Sequence, residues 1–141
     1  MRVVIDTNIL MAGLICPEKA SGKILKMWGE GDIDVIVSPG IESEYHDILS
    51  KMRFGSRETV QQREESADCL LELCSVVKPE RHVNVVLDDP ADNKFIDCAL
   101  AGKADYIITQ DHHLLDIGQI EDTRIITSRQ FLDILDTGRG L

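Results

Sequence analysis

Arg2-Val-Val-Ile-Asp6-Thr7-Asn8 is the stretch that decides the fold. A run of β-branched residues closed by polar ones is too short for a helix and suits a strand buried in a parallel sheet. Asp6 then stands at the carboxyl end of that strand. The same pattern recurs at Asp34-Val-Ile-Val37, at Asp105-Tyr-Ile-Ile-Thr109 and at Arg124-Ile-Ile-Thr127, each read as a further strand. His82 to Leu87 is a weaker extended segment, ended by Asp88-Asp89-Pro90, where the proline forbids helix in the residue before it.

Helical spacing fills the intervals. Ile24, Leu25 and Trp28 share a face of a helix from Ser21, its expected N-cap, to the glycines Gly29 and Gly31. Ser38-Pro39 opens a second helix, a capping hydroxyl followed by proline in the first turn, with Ile41, Tyr45, Ile48, Leu49 and Met52 on one stripe. Phe54-Gly55-Ser56 breaks it before a longer polar helix over residues 57–74, which buries Val60, Ala67, Leu70, Leu71 and Cys74. A helix restarting near Asp92 buries Phe95, Ile96, Ala99 and Leu100 and stops at Gly102. Leu114-Leu115 marks a helical turn. A Ser128-capped helix carries Phe131, Leu132 and Leu135, after which Gly138 to Leu141 should fray. Strands alternating with helices imply right-handed crossovers and a three-layer α/β/α fold with a mainly parallel, twisted sheet.

With 141 residues the chain is expected to be a single domain, 1–141. Its 43% hydrophobic and 28% charged residues suit a folded globule and exclude a disordered tail. No apolar run reaches the length that crosses a bilayer, and the amino terminus enters a strand directly, so no membrane partner is expected and the cytoplasm is the expected location. Cys16, Cys69, Cys74 and Cys98 form no C-x-x-C pair, which argues for reduced thiols and against a zinc finger. The net charge of −10 argues against coating a nucleic acid through a broad basic surface. An acidic chain acts on a phosphodiester instead when its carboxylates converge on divalent cations, which reverse the local sign.

Ligand sites of open α/β sheets lie outside the carboxyl ends of the strands, where Asp6 and Asp111 both fall. A carboxylate after Val-Val-Ile is partly buried and needs a cation or several donors, for which Thr7 and Asn8 are adjacent. Asp92 lies in the first turn of a helix, where an acid ordinarily serves as a cap. On the Ile41–Met52 helix, Glu44 and Glu42 flank the apolar face on opposite sides and Asp47 points to solvent. Periodicity does not choose between the two glutamates. Lys19, Lys23 and Lys26 lie at helical spacing, and Lys51, Arg53, Arg57 and Arg63 form a second basic stretch. Both read first as solvated helix faces, although either is able to hold phosphates. A haloacid-dehalogenase-type phosphatase also starts with a strand ending in aspartate, but it requires Asp-x-Asp, and Asn8 stands in the second place.

Val4-Ile5-Asp6-Thr7-Asn8, Glu44 after Ser38-Pro39, Asp89-Pro90-Ala-Asp92-Asn93-Lys-Phe95 and Ala104-Asp105-Tyr-Ile-Ile-Thr109-Gln-Asp111 with Leu114-Leu115 occur in one order over nearly the whole chain. In this the sequence resembles the PIN domain family of ribonucleases, especially bacterial and archaeal members assigned as toxins of toxin–antitoxin pairs. The resemblance implies a parallel sheet flanked by helices and clustered carboxylates holding Mg²⁺ or Mn²⁺ to hydrolyse RNA. It places the catalytic and metal-binding acids at Asp6, Glu44, Asp92 and Asp111, with Asn8 and Thr109 in support and Asp97 as a secondary acid. An RNA substrate, an antitoxin protein and a homodimer are the partners it implies. His112-His113 departs from the family pattern, which usually has a basic residue followed by an acid after the last aspartate. A non-catalytic RNA-binding module on the same fold is the alternative, against which the presence of all four acids counts.

Overall fold

The structure, a computed structural model, describes residues 1–51, 68–83 and 90–139. Its centre is strand β1 (Arg2–Ile5), followed without a loop by helix α1 (Thr7–Ile15). Helix α2 (Ala20–Gly29) leads to β2 (Asp34–Val37), and α3 (Pro39–Lys51) follows. Then come β3 (Ser75–Val76), a 3₁₀ turn (Pro90–Asp92), α4 (Asn93–Gly102), β4 (Tyr106–Ile108) and a short α5 (His112–Leu115). The hairpin β5 (Gln119–Ile120) and β6 (Thr123–Ile126) and helix α6 (Ser128–Arg139) complete the chain.

The sheet order is β3-β2-β1-β4-β6-β5, and every pairing is parallel except the β5–β6 edge. Val3 aligns with both Val35 and Tyr106, and Ile5 with Ile108. Val3, Val4, Ile5, Val35, Ile36, Val37, Ile107 and Ile108 are all fully buried, as expected where helices cover both faces. The three-layer α/β/α reading holds. From β1 the chain winds outward through β2 to β3, then returns to lay β4 on the other side of β1. The order therefore reverses between β1 and β4, and in sheets of this kind the carboxyl ends at such a reversal are where ligands bind.

Helix α1 has no counterpart in the sequence reading. Its sequence, TNILMAGLI, is apolar nearly all round, so no stripe announces it; Ile9, Leu10, Gly13 and Leu14 are buried. The edge strands β3 and β5 also escape periodicity, being two residues each. Two caps differ from expectation. Ser21 lies inside α2 and is buried, its hydroxyl 2.9 Å from that of Ser128, while Lys19 takes the N-cap position without a side-chain bond. At α6 the cap is Thr127, which accepts from the Gln130 N–H at 3.1 Å while the Gln130 side chain accepts from the Thr127 N–H at 2.9 Å, a reciprocal capping box. The Ser38 hydroxyl accepts from the Ile41 N–H at the start of α3, as read. Gly102 closes α4 at a position where a Cβ would stand 2.8 Å from Ile36 Cγ2, and the helix is terminated by Lys103, which takes the left-handed turn with φ 52°. Most of the 57–74 helix and of the 82–87 segment lies outside the described residues, as do Arg53, Arg57 and Arg63. Of the expected fraying end, 138 and 139 continue α6 and 140–141 are outside.

Cys98 is buried and its thiol is pushed up to about 12 by burial, with the Asp97 charge adding. Burial likewise pushes Cys74 up to about 12. Both thiols are therefore poor nucleophiles at neutral pH. A thiol-reactive dye is expected to label the exposed Cys69 in the native chain and to reach Cys98 only on unfolding. Native-state labelling of Cys98, located by mass spectrometry, would contradict this packing.

Candidate active site

Asp6 is 4% exposed and sits on the junction of β1 and α1. Its extended backbone (φ −61°, ψ 142°) makes it the N-cap of α1, and one carboxylate oxygen accepts from the Asn8 N–H at 3.5 Å. The other accepts from the Thr109 hydroxyl at 2.7 Å. Burial raises its pKa above the carboxylate value of 3.8; the bonds from Thr109 and Asn8 oppose this, and the charges of Asp111 and Glu44 reinforce it. Those two carboxylates thus face the same space as Asp6, although they are 105 and 38 residues away in sequence (111 − 6 and 44 − 6).

Thr109 joins the two strand ends. While donating to Asp6, its hydroxyl oxygen accepts from the Asp111 N–H at 3.0 Å. Asp111 caps α5, accepting from the His113 N–H at 2.9 Å. A hydrogen bond with the Asp92 carboxyl lowers its pKa, helped by that amide and by the nearby His113 and His112 rings. Asp92 makes no side-chain cap bond to α4, so the capping role that its position suggested is not the one it performs.

Glu44 arrives on α3, which is pinned next door. Tyr45 is fully buried and its hydroxyl donates to the Ile5 carbonyl, while burial raises its pKa well above 10. The Thr7 hydroxyl donates to one Glu44 oxygen, and Lys94 Nζ lies 2.7 Å from the other. Thr7 therefore serves Glu44 and not Asp6. Glu42 turns to the other flank, close enough to Cys74 to raise that thiol, and Asp47 is exposed. Lys94 was not singled out from the sequence, yet it carried a signal. A cation in the first turn of a helix opposes the macrodipole and needs another reason to be there. Here that reason is Glu44.

Asn8 is exposed at the start of α1 and meets Asp6 through its backbone N–H. Asp97 is 7% exposed and engages the connection before α4, accepting from the Val83 N–H at 2.7 Å and lying 3.1 Å from His82 Nδ1. The His112 and His113 rings lie against each other with centroids 4.2 Å apart, beside Asp111. Among the described residues, no group of three or more His, Cys, Asp or Glu is arranged to hold an ion as the side chains stand. Asp6 and Glu44 are engaged from within: Thr109 and the Asn8 N–H donate to Asp6, and Thr7 and Lys94 to Glu44.

The fold is a mainly parallel α/β sheet with Asp6 and Asp111 at the carboxyl ends of its two central strands, the place where sheets of this class hold ligands. The PIN domain family model matches residues 2–113 of this chain. The chain belongs to the PIN domain family, whose members are generally nucleases and typically use divalent metal ions. It is similar to the uncharacterized protein MJ1680 of Methanocaldococcus jannaschii, at 32% identity over 121 residues covering 83% of this chain and 75% of that one. Among solved structures it is similar in fold to PAE2754 from Pyrobaculum aerophilum, with TM-score 0.62, 14% identity, and 97% and 90% of the two chains covered. The structure of VapBC2 from Rickettsia felis bound to a DNA fragment from their promoter gives TM-score 0.57 at 13% identity, covering 90% of this chain and 98% of that one. Among the described residues no helix is long and apolar enough to cross a membrane.

Proposed function

We propose that this chain is a ribonuclease dependent on Mg²⁺ or Mn²⁺, a single nuclease domain that hydrolyses RNA phosphodiester bonds in the cytoplasm. The observation that carries the reading is the buried Asp6 carboxylate at the strand crossover, sharing the Thr109 hydroxyl with the Asp111 backbone and the fields of Asp111 and Glu44. The donor set fits a hard divalent ion. It is all oxygen, its charges repel one another, and the Lys94 ammonium stands against Glu44 where an ion would supply positive charge. Asp6, Glu44, Asp92 and Asp111 would hold it. When bound, such an ion activates water and neutralises phosphate charge.

The chain's own groups do the rest. Thr109 fixes Asp6 against Asp111, Thr7 and Lys94 aim Glu44, and Tyr45 sets the height of α3 against β1. Asn8, exposed at the start of α1 with its N–H on Asp6, supports the same site. A role as the toxin of a toxin–antitoxin pair, restrained by a separate antitoxin protein, is supported by the family resemblance and by the fold likeness to VapBC2. Homodimer formation belongs to the same reading.

The test is incubation of single-stranded RNA with the purified chain in Mn²⁺ and, in parallel, in EDTA. Fragments in Mn²⁺ alone are expected. Intact RNA at an excess of protein overturns the ribonuclease reading, and tight binding without cleavage turns it into the non-catalytic module. Thr109→Val, which keeps shape and removes the shared hydroxyl, is expected to lower cleavage and Mn²⁺ affinity each about 10- to 100-fold. Because the buried Asp6 carboxylate loses its hydroxyl donor and the Asp111 N–H its acceptor, it should also cost about 1–3 kcal/mol of stability. Mn²⁺ titration of the cleavage rate checks this, and wild-type ion dependence in the variant removes Thr109 from the site.

A further inference from the structure

We propose that the cleft between α1, α2 and the start of α6 holds backbone phosphates of single-stranded RNA beside the scissile bond. The proposal rests on the nuclease reading for which polymer enters, and on the cleft itself for how it is held. The cleft has a volume of about 850 Å³ and opens beside Gln110, the residue between Thr109 and Asp111. Lys19, Lys23 and Arg129 line it, opposed there by Glu18 alone among acids. In a chain of net charge −10 such a local excess of cations is against the average. None of the three is held in an ion pair or side-chain hydrogen bond among the described residues, whereas Lys26, two turns beyond Lys19, pairs with Glu30.

The walls are fixed by the fold. The buried Ser21–Ser128 hydroxyl bond ties the first turn of α2 to the first turn of α6, which brings Lys19 and Lys23 to the same cleft as Arg129. Helix α1 runs from Asp6 to Cys16, about 15 Å. It starts at the acids and ends in the cleft, exposing Asn8 near one end and Ile15 at the other. A strand cut at Asp6 and Asp111 that follows α1, which carries no charged side chain of its own, meets the cations where that helix ends. The acids repel phosphate until a cation neutralises them, so affinity for the polymer must come from positive charge elsewhere, and this cleft supplies it. The uncapped amides of α2 add a smaller attraction of the same sign.

The test is fluorescence anisotropy of a labelled single-stranded oligoribonucleotide on the full chain in EDTA, where turnover is absent, over a range of salt concentrations. Lys19→Glu with Lys23→Glu and Arg129→Glu is expected to weaken binding at least about tenfold. It should also flatten the slope of log Kd against log salt by about 2, since each phosphate contact contributes about 0.7 on a single strand. Lys103→Glu with Arg124→Glu, at the amino ends of β4 and β6, serves as the charge control and should leave the slope nearly unchanged. The three positions are exposed, and the Gln versions stand in if the Glu variant melts early. An unaltered slope in the triple variant, or an equal loss in the control, overturns the proposal. RNA bound through these cations in EDTA but never cut in Mn²⁺ keeps the cleft and removes the nuclease. RNA cut by the triple variant with unchanged KM does the reverse, and RNA neither bound nor cut removes both.

Discussion

Asp6→Asn is expected to abolish Mn²⁺-dependent cleavage of single-stranded RNA while raising the melting temperature of the ion-free chain at neutral pH. Both effects have one cause. The carboxylate sits in a desolvated place facing two others, so its pKa in the fold lies above the unfolded value near 3.8. Between those two values the folded chain binds more protons than the unfolded one, and stability falls as pH rises through the folded pKa. Below the unfolded value the penalty vanishes; above the folded value it is complete. Asparagine has no charge to desolvate, and its side-chain oxygen still accepts from Thr109, so the gain should appear at pH 7 and fade towards pH 3. A divalent ion that relieves the same repulsion acts in the opposite sense on the unaltered chain. At a concentration about 100 times its Kd it adds about 2.7 kcal/mol. For a chain of this size that is a rise in Tm of roughly 5–15 °C. The variant should show little of that rise. Melting curves at pH 7 and pH 4, with and without Mn²⁺, separate the cases. A variant that melts below the unaltered chain without ions, or one that still cuts RNA, removes Asp6 from the centre of the site.

Gly22→Ala is expected to lower Tm by roughly 5–15 °C, although alanine is ordinarily the better helix former by about 1 kcal/mol. A Cβ at residue 22 would lie 2.1 Å from the Pro17 carbonyl oxygen and 2.4 Å from its carbon. These are backbone atoms of the turn that joins α1 to α2, closed by the Lys19 N–H on the Cys16 carbonyl at 3.1 Å, and they have no rotamer to escape into. Overpacking of this kind costs about 1–3 kcal/mol and more where backbone must shift. Gly13 on the facing helix is similarly crowded, since its Cβ would meet Leu25 Cδ1 at 2.5 Å. The two glycines let α1 and α2 approach closely, and through Ser21 and Ser128 that approach sets the cleft. Thermal or urea unfolding checks the sign. A variant as stable as the unaltered chain would show that the helices do not meet this closely.

The sequence by itself determined the frame. Short β-branched runs placed β1, β2, β4 and β6, the stripe Ile41-Tyr45-Leu49 placed α3, and the polar residues closing β1 and β4 marked the sheet edge where Asp6 and Asp111 lie. These are local properties, because a strand buried on both faces must be apolar throughout and a half-buried helix must be striped. The tertiary structure alone decided which polar groups meet. Glu42 and Glu44 are equivalent on a helical wheel, and only the packing of α3 on β1 through Tyr45 brings Glu44 to Thr7 and Lys94. Asp92 looks like a cap until the fold sets Asp111 beside it, and the donor to Asp6 is Thr109, not the neighbouring Thr7. Periodicity records which face of an element is covered; which residue covers it depends on crossovers that bring together positions about 100 residues apart in the chain.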